Sequence, residues 1–205
     1  MIFSDASKTL LTSMCIDPFS YSKKLVIEFN EEAIIFNTVL EEFNSVEKIG
    51  DHTTFSYFWN KQSTKSTESK IFNWAYELYN NLMRFFSGGV LELYTFKQAE
   101  WGAPEVKITK DHVPPSNIDL LEEKHVIYRG MSREEHASKD YRQSWTIDLA
   151  TAIRFARDTY SDEPSGIVVT AVIDRDDVVY YDKNNNEHEV IVKSGSIIDA
   201  REIKA

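Results

Sequence analysis

A chain of 205 residues with 42% hydrophobic and 27% charged side chains has the length for one compact domain, or for one catalytic domain with a helical lead-in, and its composition excludes wholesale disorder. The formal charge of −10 is spread evenly, with 16 acidic against 11 basic residues over 1–120 and 17 against 12 over 121–205. Neither half is therefore a basic nucleic-acid module by composition, although an enzyme that touches nucleic acid briefly needs only a local basic path. No apolar run is long enough to span a membrane, and the single Cys15 excludes an internal disulfide framework or a multi-cysteine zinc site. The start, MIFSDASKTL, lacks the basic segment and long apolar stretch of a secretory signal, so an ordinary folded N-terminus and a cytoplasmic location are expected.

The first 120 residues read as mainly helical. In EEAIIFNTVLEEFN, Ile35, Val39, Leu40 and Phe43 fall on one helical face, with Asn30 placed as N-cap and Glu31 and Glu32 in the first turn. The polar stretch 61–70 is expected to be an exposed loop. A second helix runs through Ile71, Trp74, Leu78, Leu82 and Phe85, with Ser69 as N-cap and Gly88-Gly89 as its stop. A short strand, VLELYTF, is expected next, then an irregular connector over 97–118 holding Gly102, Pro104, Pro114 and Pro115. The aromatic residues, at helical spacing, are expected in the core.

Near residue 118 the pattern changes to short strands, which divides the chain into a helical region 1–118 and a second domain 119–205. HVIYRG is a strand, and SREEHASKDYRQ is a short helix or loop with Ser132 and Glu135 in capping-box spacing. QSWTI is a strand, and DLATAIRFARDTY is a helix capped by Asp148. The Val- and Ile-rich GIVVTAVI and DVVYYD are strands, NNN is a turn, EHEVIVKSG is a strand and SIIDAREIKA contains the last one. The expected fold class is α+β.

Three pieces of the second half share an order: Tyr128-Arg129-Gly130 at a strand end, Ser144-Trp145-Thr146 ahead of the helix DLATAIRFA, and Glu187-His188-Glu189 ahead of an apolar strand. Together they resemble the ADP-ribosyltransferase fold, in the Arg–Ser–Glu class of toxin-like mono-ADP-ribosyltransferases, over about residues 124–205. The resemblance implies a small mixed-β, split-sheet core that binds NAD. It does not extend to the helical half.

What the resemblance implies for individual residues suits NAD chemistry. Arg129 anchors NAD, its planar fork of donors matching a pyrophosphate, and Gly130 lets backbone approach the ligand. Ser144 and Thr146, two apart on a strand, share a face; Ser144 holds the cleft and orients the catalytic carboxylate, with Thr146 in support. Tyr128, Trp145 and Phe155 complete the cofactor-binding set, Trp145 packing from behind. Glu189 is the catalytic carboxylate, accepting a hydrogen bond from the ribose hydroxyl beside the nicotinamide and stabilising an oxocarbenium-like transition state. Nicotinamide leaves as a neutral molecule, so the second carboxylic acid that glycosidases need is not required. Glu187, expected on the same strand face as Glu189 with His188 opposite, is then available to handle the acceptor. The turn Asn184-Asn185-Asn186 takes the position of the family's substrate-recognition turn and lacks the aromatic some members carry there. His52, His112, His125 and His136 stand in no metal-ligand spacing, so no metal is expected.

The implied activity is transfer of ADP-ribose from NAD to a macromolecular acceptor, either a protein side chain or RNA/DNA, in the setting of a prokaryotic or phage toxin or defence effector. The helical half would recognise the acceptor, clamp over NAD, or bind an antitoxin-like inhibitor. Two other readings use the same residues: an NAD glycohydrolase, with water as acceptor, and a catalytically silent NAD-binding or interaction module.

Overall fold

The structure, a computed structural model, describes residues 2–45, 69–96, 104–160 and 166–203. The chain divides into two compact units, Met1–Ile108 and Thr109–Ala205. The division falls ahead of the expected position near 118. Residues 109–118 already belong to the second unit, where the Asn117 amide donates to the Tyr181 carbonyl at 2.8 Å.

The first unit is helical. Helix α1 (Asp5–Ser13) is capped by Ser4, and α2 (Pro18–Phe29) by Asp17 with a proline in its first turn. Asn30 is not the N-cap of the next helix. It sits at positive φ (51°) as the C-cap of α2, a conformation that asparagine tolerates, and a 3₁₀ turn then leads into α3 (Ile34–Asn44). Helix α4 (Lys70–Phe96) begins under Ser69, whose Oγ accepts the Phe72 amide at 3.3 Å. Gly89 breaks it at φ 75°, as the glycine pair implies, but the chain resumes as helix. The expected strand VLELYTF is thus helical, with Leu93 and Tyr94 buried; a short apolar run does not itself distinguish the two periods. Leu11, Leu25, Phe36, Leu40, Leu78 and Leu82 form the centre of this unit's core. Many of the described aromatics join it, Phe29 packing on Phe36 and edge-on to Trp74, whereas Phe19 and Tyr76 are exposed. The loop expected at 61–70 lies almost wholly outside the described residues.

The second unit is α+β. Its strands are β1 (Lys124–Met131), β2 (Ser144–Thr146), β3 (Ile167–Asp174), β4 (Val178–Tyr181), β5 (Glu189–Val192) and β6 (Arg201–Ile203), with helices α5 (Arg133–Ser138) and α6 (Leu149–Asp158) between β1, β2 and β3. They form one six-stranded sheet in the order β4-β5-β2-β1-β3-β6. Every pairing is antiparallel, so the expected mixed sheet is corrected. The β1–β3 ladder registers eight residue pairs, whereas β1 meets β2 through Tyr128↔Thr146 alone. That single pair is a narrow seam in the middle of the sheet.

One face of the sheet carries the core, with Ile127, Met131, Trp145, Val169, Ile173 and Val190 buried there. Helix α6 packs on the other face through Ala152 and Ala156 against Val168. Asp148 caps α6 as expected, its carboxylate accepting from the amides of Ala150 and Thr151.

Candidate active site

The antiparallel register places Thr146 opposite Tyr128 on one side and opposite Glu189 on the other. Alternation then puts Ser144, Thr146, Tyr128 and Glu189 on the α6 face, and Trp145 on the core face. Ser144 and Glu189 are diagonal neighbours across β2 and β5, close enough for side chains to meet. Ser144 Oγ donates to Glu189 Oε1 at 2.6 Å.

Arg129 reaches the same point by another route. Along β2 the Gln143 carbonyl faces β5 and accepts the Val192 amide, so the Ser144 carbonyl turns toward β1. The ladder has ended there, and the Arg129 guanidinium takes the place of a strand partner, Nη1 donating to the Ser144 carbonyl at 2.5 Å. The other edge of the guanidinium meets Glu135, with Nε donating to Oε1 at 2.9 Å and Nη2 to Oε2 at 3.2 Å. The two side chains are only 11% and 9% exposed.

Glu189 is half-buried, and its carboxyl is pushed above the ordinary glutamate range chiefly by burial. The Ser144 hydrogen bond opposes that shift, the Glu187 charge adds to it and the Arg129 charge opposes it. A carboxylate held by one hydroxyl, with a guanidinium tied to the same serine, can accept a hydrogen bond from a sugar hydroxyl next to developing positive charge.

Glu187 does not share a strand face with Glu189. The segment ahead of β5 is a turn, in which Asn185 Oδ1 accepts the Glu187 amide at 2.8 Å and the Asn185 carbonyl accepts the His188 amide at 2.9 Å. His188 stands at positive φ (49°), which breaks the strand alternation on which the expectation rested. The exposed Glu187 carboxylate instead lies 3.5 Å from Arg154 Nη2 on α6. Thr146 anchors this turn: its Oγ1 donates to the Glu187 carbonyl at 2.7 Å and accepts the Asp148 amide at 3.0 Å. It therefore supports the site through backbone, joining the Glu187 turn to the cap of α6.

Of the remaining members of the expected set, Trp145 and Gly130 pack, Tyr128 is partly buried and Phe155 is exposed. Trp145 is 2% exposed in the core, with its indole donating to the Arg142 carbonyl at 2.9 Å, so it stands behind the sheet and presents no surface to a cofactor. Gly130 lies under α6, where a Cβ would clash with the Ala152 carbonyl oxygen and the Ala156 amide nitrogen. Close helix packing is what requires glycine here. Tyr128 packs against Ala152, Ala156 and Val168. Phe155 is 38% exposed on α6, with the Arg154 guanidinium over its ring.

Glu135 and Arg154 are absent from the sequence-derived site. Glu135 was visible as half of a capping box, and Ser132 Oγ does accept its amide at 3.1 Å. Its carboxylate goes to Arg129 instead of back to the cap. A cavity of about 940 Å³, lined by Ile2, Val26, Glu28 and Phe29 among others, lies in the helical unit and includes none of the site residues. Among the described residues no group of three or more His, Cys, Asp or Glu could hold a metal ion, and no helix is long and apolar enough to cross a membrane. No family model, curated protein or solved structure matches the chain.

Proposed function

We propose that the chain is a mono-ADP-ribosyltransferase that moves ADP-ribose from NAD to a macromolecular acceptor. The observation that carries the reading is the meeting of its three motifs at one residue: the Ser144 hydroxyl holds Glu189 and the Ser144 carbonyl holds Arg129. Three short segments, distant in sequence and each unremarkable alone, bring a carboxylate and a guanidinium to the one serine, Ser144.

NAD supplies a labile N-glycosidic bond and a leaving group that departs uncharged. Glu189, once ionised, accepts a hydrogen bond from a ribose hydroxyl and lowers the energy of the positive charge that develops on the sugar. Ser144 fixes the carboxylate's direction. Arg129, held by Glu135 and the Ser144 carbonyl, would be the residue that holds the pyrophosphate. Glu187, exposed beside the site, handles the acceptor and takes its proton.

The acceptor class is tested with NAD labelled on the adenylate phosphate, incubated with the protein and a bacterial lysate and then divided between protease and nuclease. Label lost with protease and retained through nuclease identifies a protein acceptor. The reverse identifies RNA or DNA. Free ADP-ribose without macromolecular label contradicts the transferase reading and identifies a glycohydrolase.

A further inference from the structure

Among the described residues, the Arg129–Glu135 pair is the most deeply placed ion pair in the second unit. Both side chains are about nine-tenths buried, while the other pairs of that unit are largely exposed. Burying two charges carries a desolvation penalty that their attraction offsets only with good geometry, so such a pair is a poor source of stability in itself. Its geometry is good: the Nε and Nη2 edge of the guanidinium meets both carboxylate oxygens, which fixes the plane as well as the position of the fork.

The carboxylate is itself held. Glu135 Oε1 also accepts the Arg142 amide at 3.2 Å, and Ser132 caps the Glu135 amide. Helix α5 contributes no buried residue to the core. Helix α5 therefore turns the Glu135 carboxylate inward to Arg129, and a chain of contacts runs from Glu135 through Arg129 and Ser144 to Glu189.

We infer that Glu135 is the positioning residue of this site, holding the Arg129 guanidinium in the plane from which it meets the diphosphate of the substrate. The inference rests on the NAD reading above and names a residue which that reading does not use. Glu135 touches no reacting atom. It acts on substrate binding through Arg129, so its loss is felt in KM for NAD more than in kcat.

The test uses the full chain and follows nicotinamide release with varied NAD. Glu135→Gln keeps the side-chain shape but sets an amide NH₂ against the guanidinium. It is expected to raise KM about tenfold, the scale of losing one charge-assisted contact, and to change kcat much less. Glu135→Asp keeps the charge but shortens the reach, and is expected to fall between Glu135→Gln and the wild type. Thermal unfolding is recorded for both. An unchanged KM in Glu135→Asp and in folded Glu135→Gln, with a lowered unfolding temperature, makes the pair purely structural and overturns the inference. A lowered KM also overturns it, because Glu135 would then be competing for Arg129. If the wild type releases no nicotinamide, the NAD reading itself fails.

Discussion

Ser144 and Glu189 are joined by a 2.6 Å hydrogen bond from hydroxyl to carboxylate, while the carbonyl of the same serine accepts Arg129. Ser144→Ala removes the first contact and keeps the second, which runs through backbone. The expected result is a loss of NAD turnover of roughly tenfold to a hundredfold with little change in Arg129. Because that hydrogen bond holds the Glu189 pKa down, the acidic limb of the pH–rate profile should also move to higher pH. Kinetics between pH 4 and 8 check both. An unmoved acidic limb would detach Ser144 from the working carboxylate.

Burial raises the Glu189 pKa, and that shift has a consequence for stability. A carboxyl with a folded-state pKa above its unfolded one contributes stability while protonated, below the ordinary glutamate pKa. That contribution is lost as pH rises through the folded-state value. Glu189→Gln fixes the uncharged state. The variant should therefore unfold at a higher temperature than the wild type near neutral pH, with the difference shrinking as pH falls below the ordinary glutamate range. Unfolding temperatures across that range test it. A constant difference would contradict the assignment.

Gly130 separates packing from chemistry. Gly130→Ala drives a methyl group into the backbone of α6 at Ala152 and Ala156. The expected cost is roughly 1–3 kcal/mol of stability, measured by denaturant unfolding, through displacement of α6. A stable variant with lost NAD binding would mean instead that the glycine serves the ligand.

Most of the second unit was legible in the sequence. The Val- and Ile-rich strands and the Asp148 cap follow from local pattern, as the Ser69 cap does in the helical unit, because a buried strand and a capped helix each carry their own signal. The contacts that make the site are different. The Arg129–Glu135 pair joins a strand to a helix whose sequence spells only a cap, and nothing local says that the carboxylate turns inward. The Glu187 turn depends on one residue, His188, adopting positive φ, which strand alternation cannot foresee. In the helical unit, VLELYTF shows the same limit, since its choice of helix was made by the core that received Leu93.

The helical unit offers a stability test independent of function. Asn81 is 1% exposed, and neither polar atom of its side-chain amide has a hydrogen-bond partner among the described residues. A buried polar group without partners costs about 1–3 kcal/mol, so Asn81→Leu, of similar shape, should stabilise the chain by about 1 kcal/mol. Calorimetry of the variant checks this, and destabilisation would show that the amide has an essential role.

The central claim is that Glu189 cleaves the glycosidic bond of NAD. Its most direct test is nicotinamide release measured side by side for the wild type and a folded Glu189→Gln chain. The account predicts release by the wild type and a fall of at least about a hundredfold in the variant, the scale of removing a group that acts on the transition state. Equal release by the two proteins, or intact NAD with both, would contradict it.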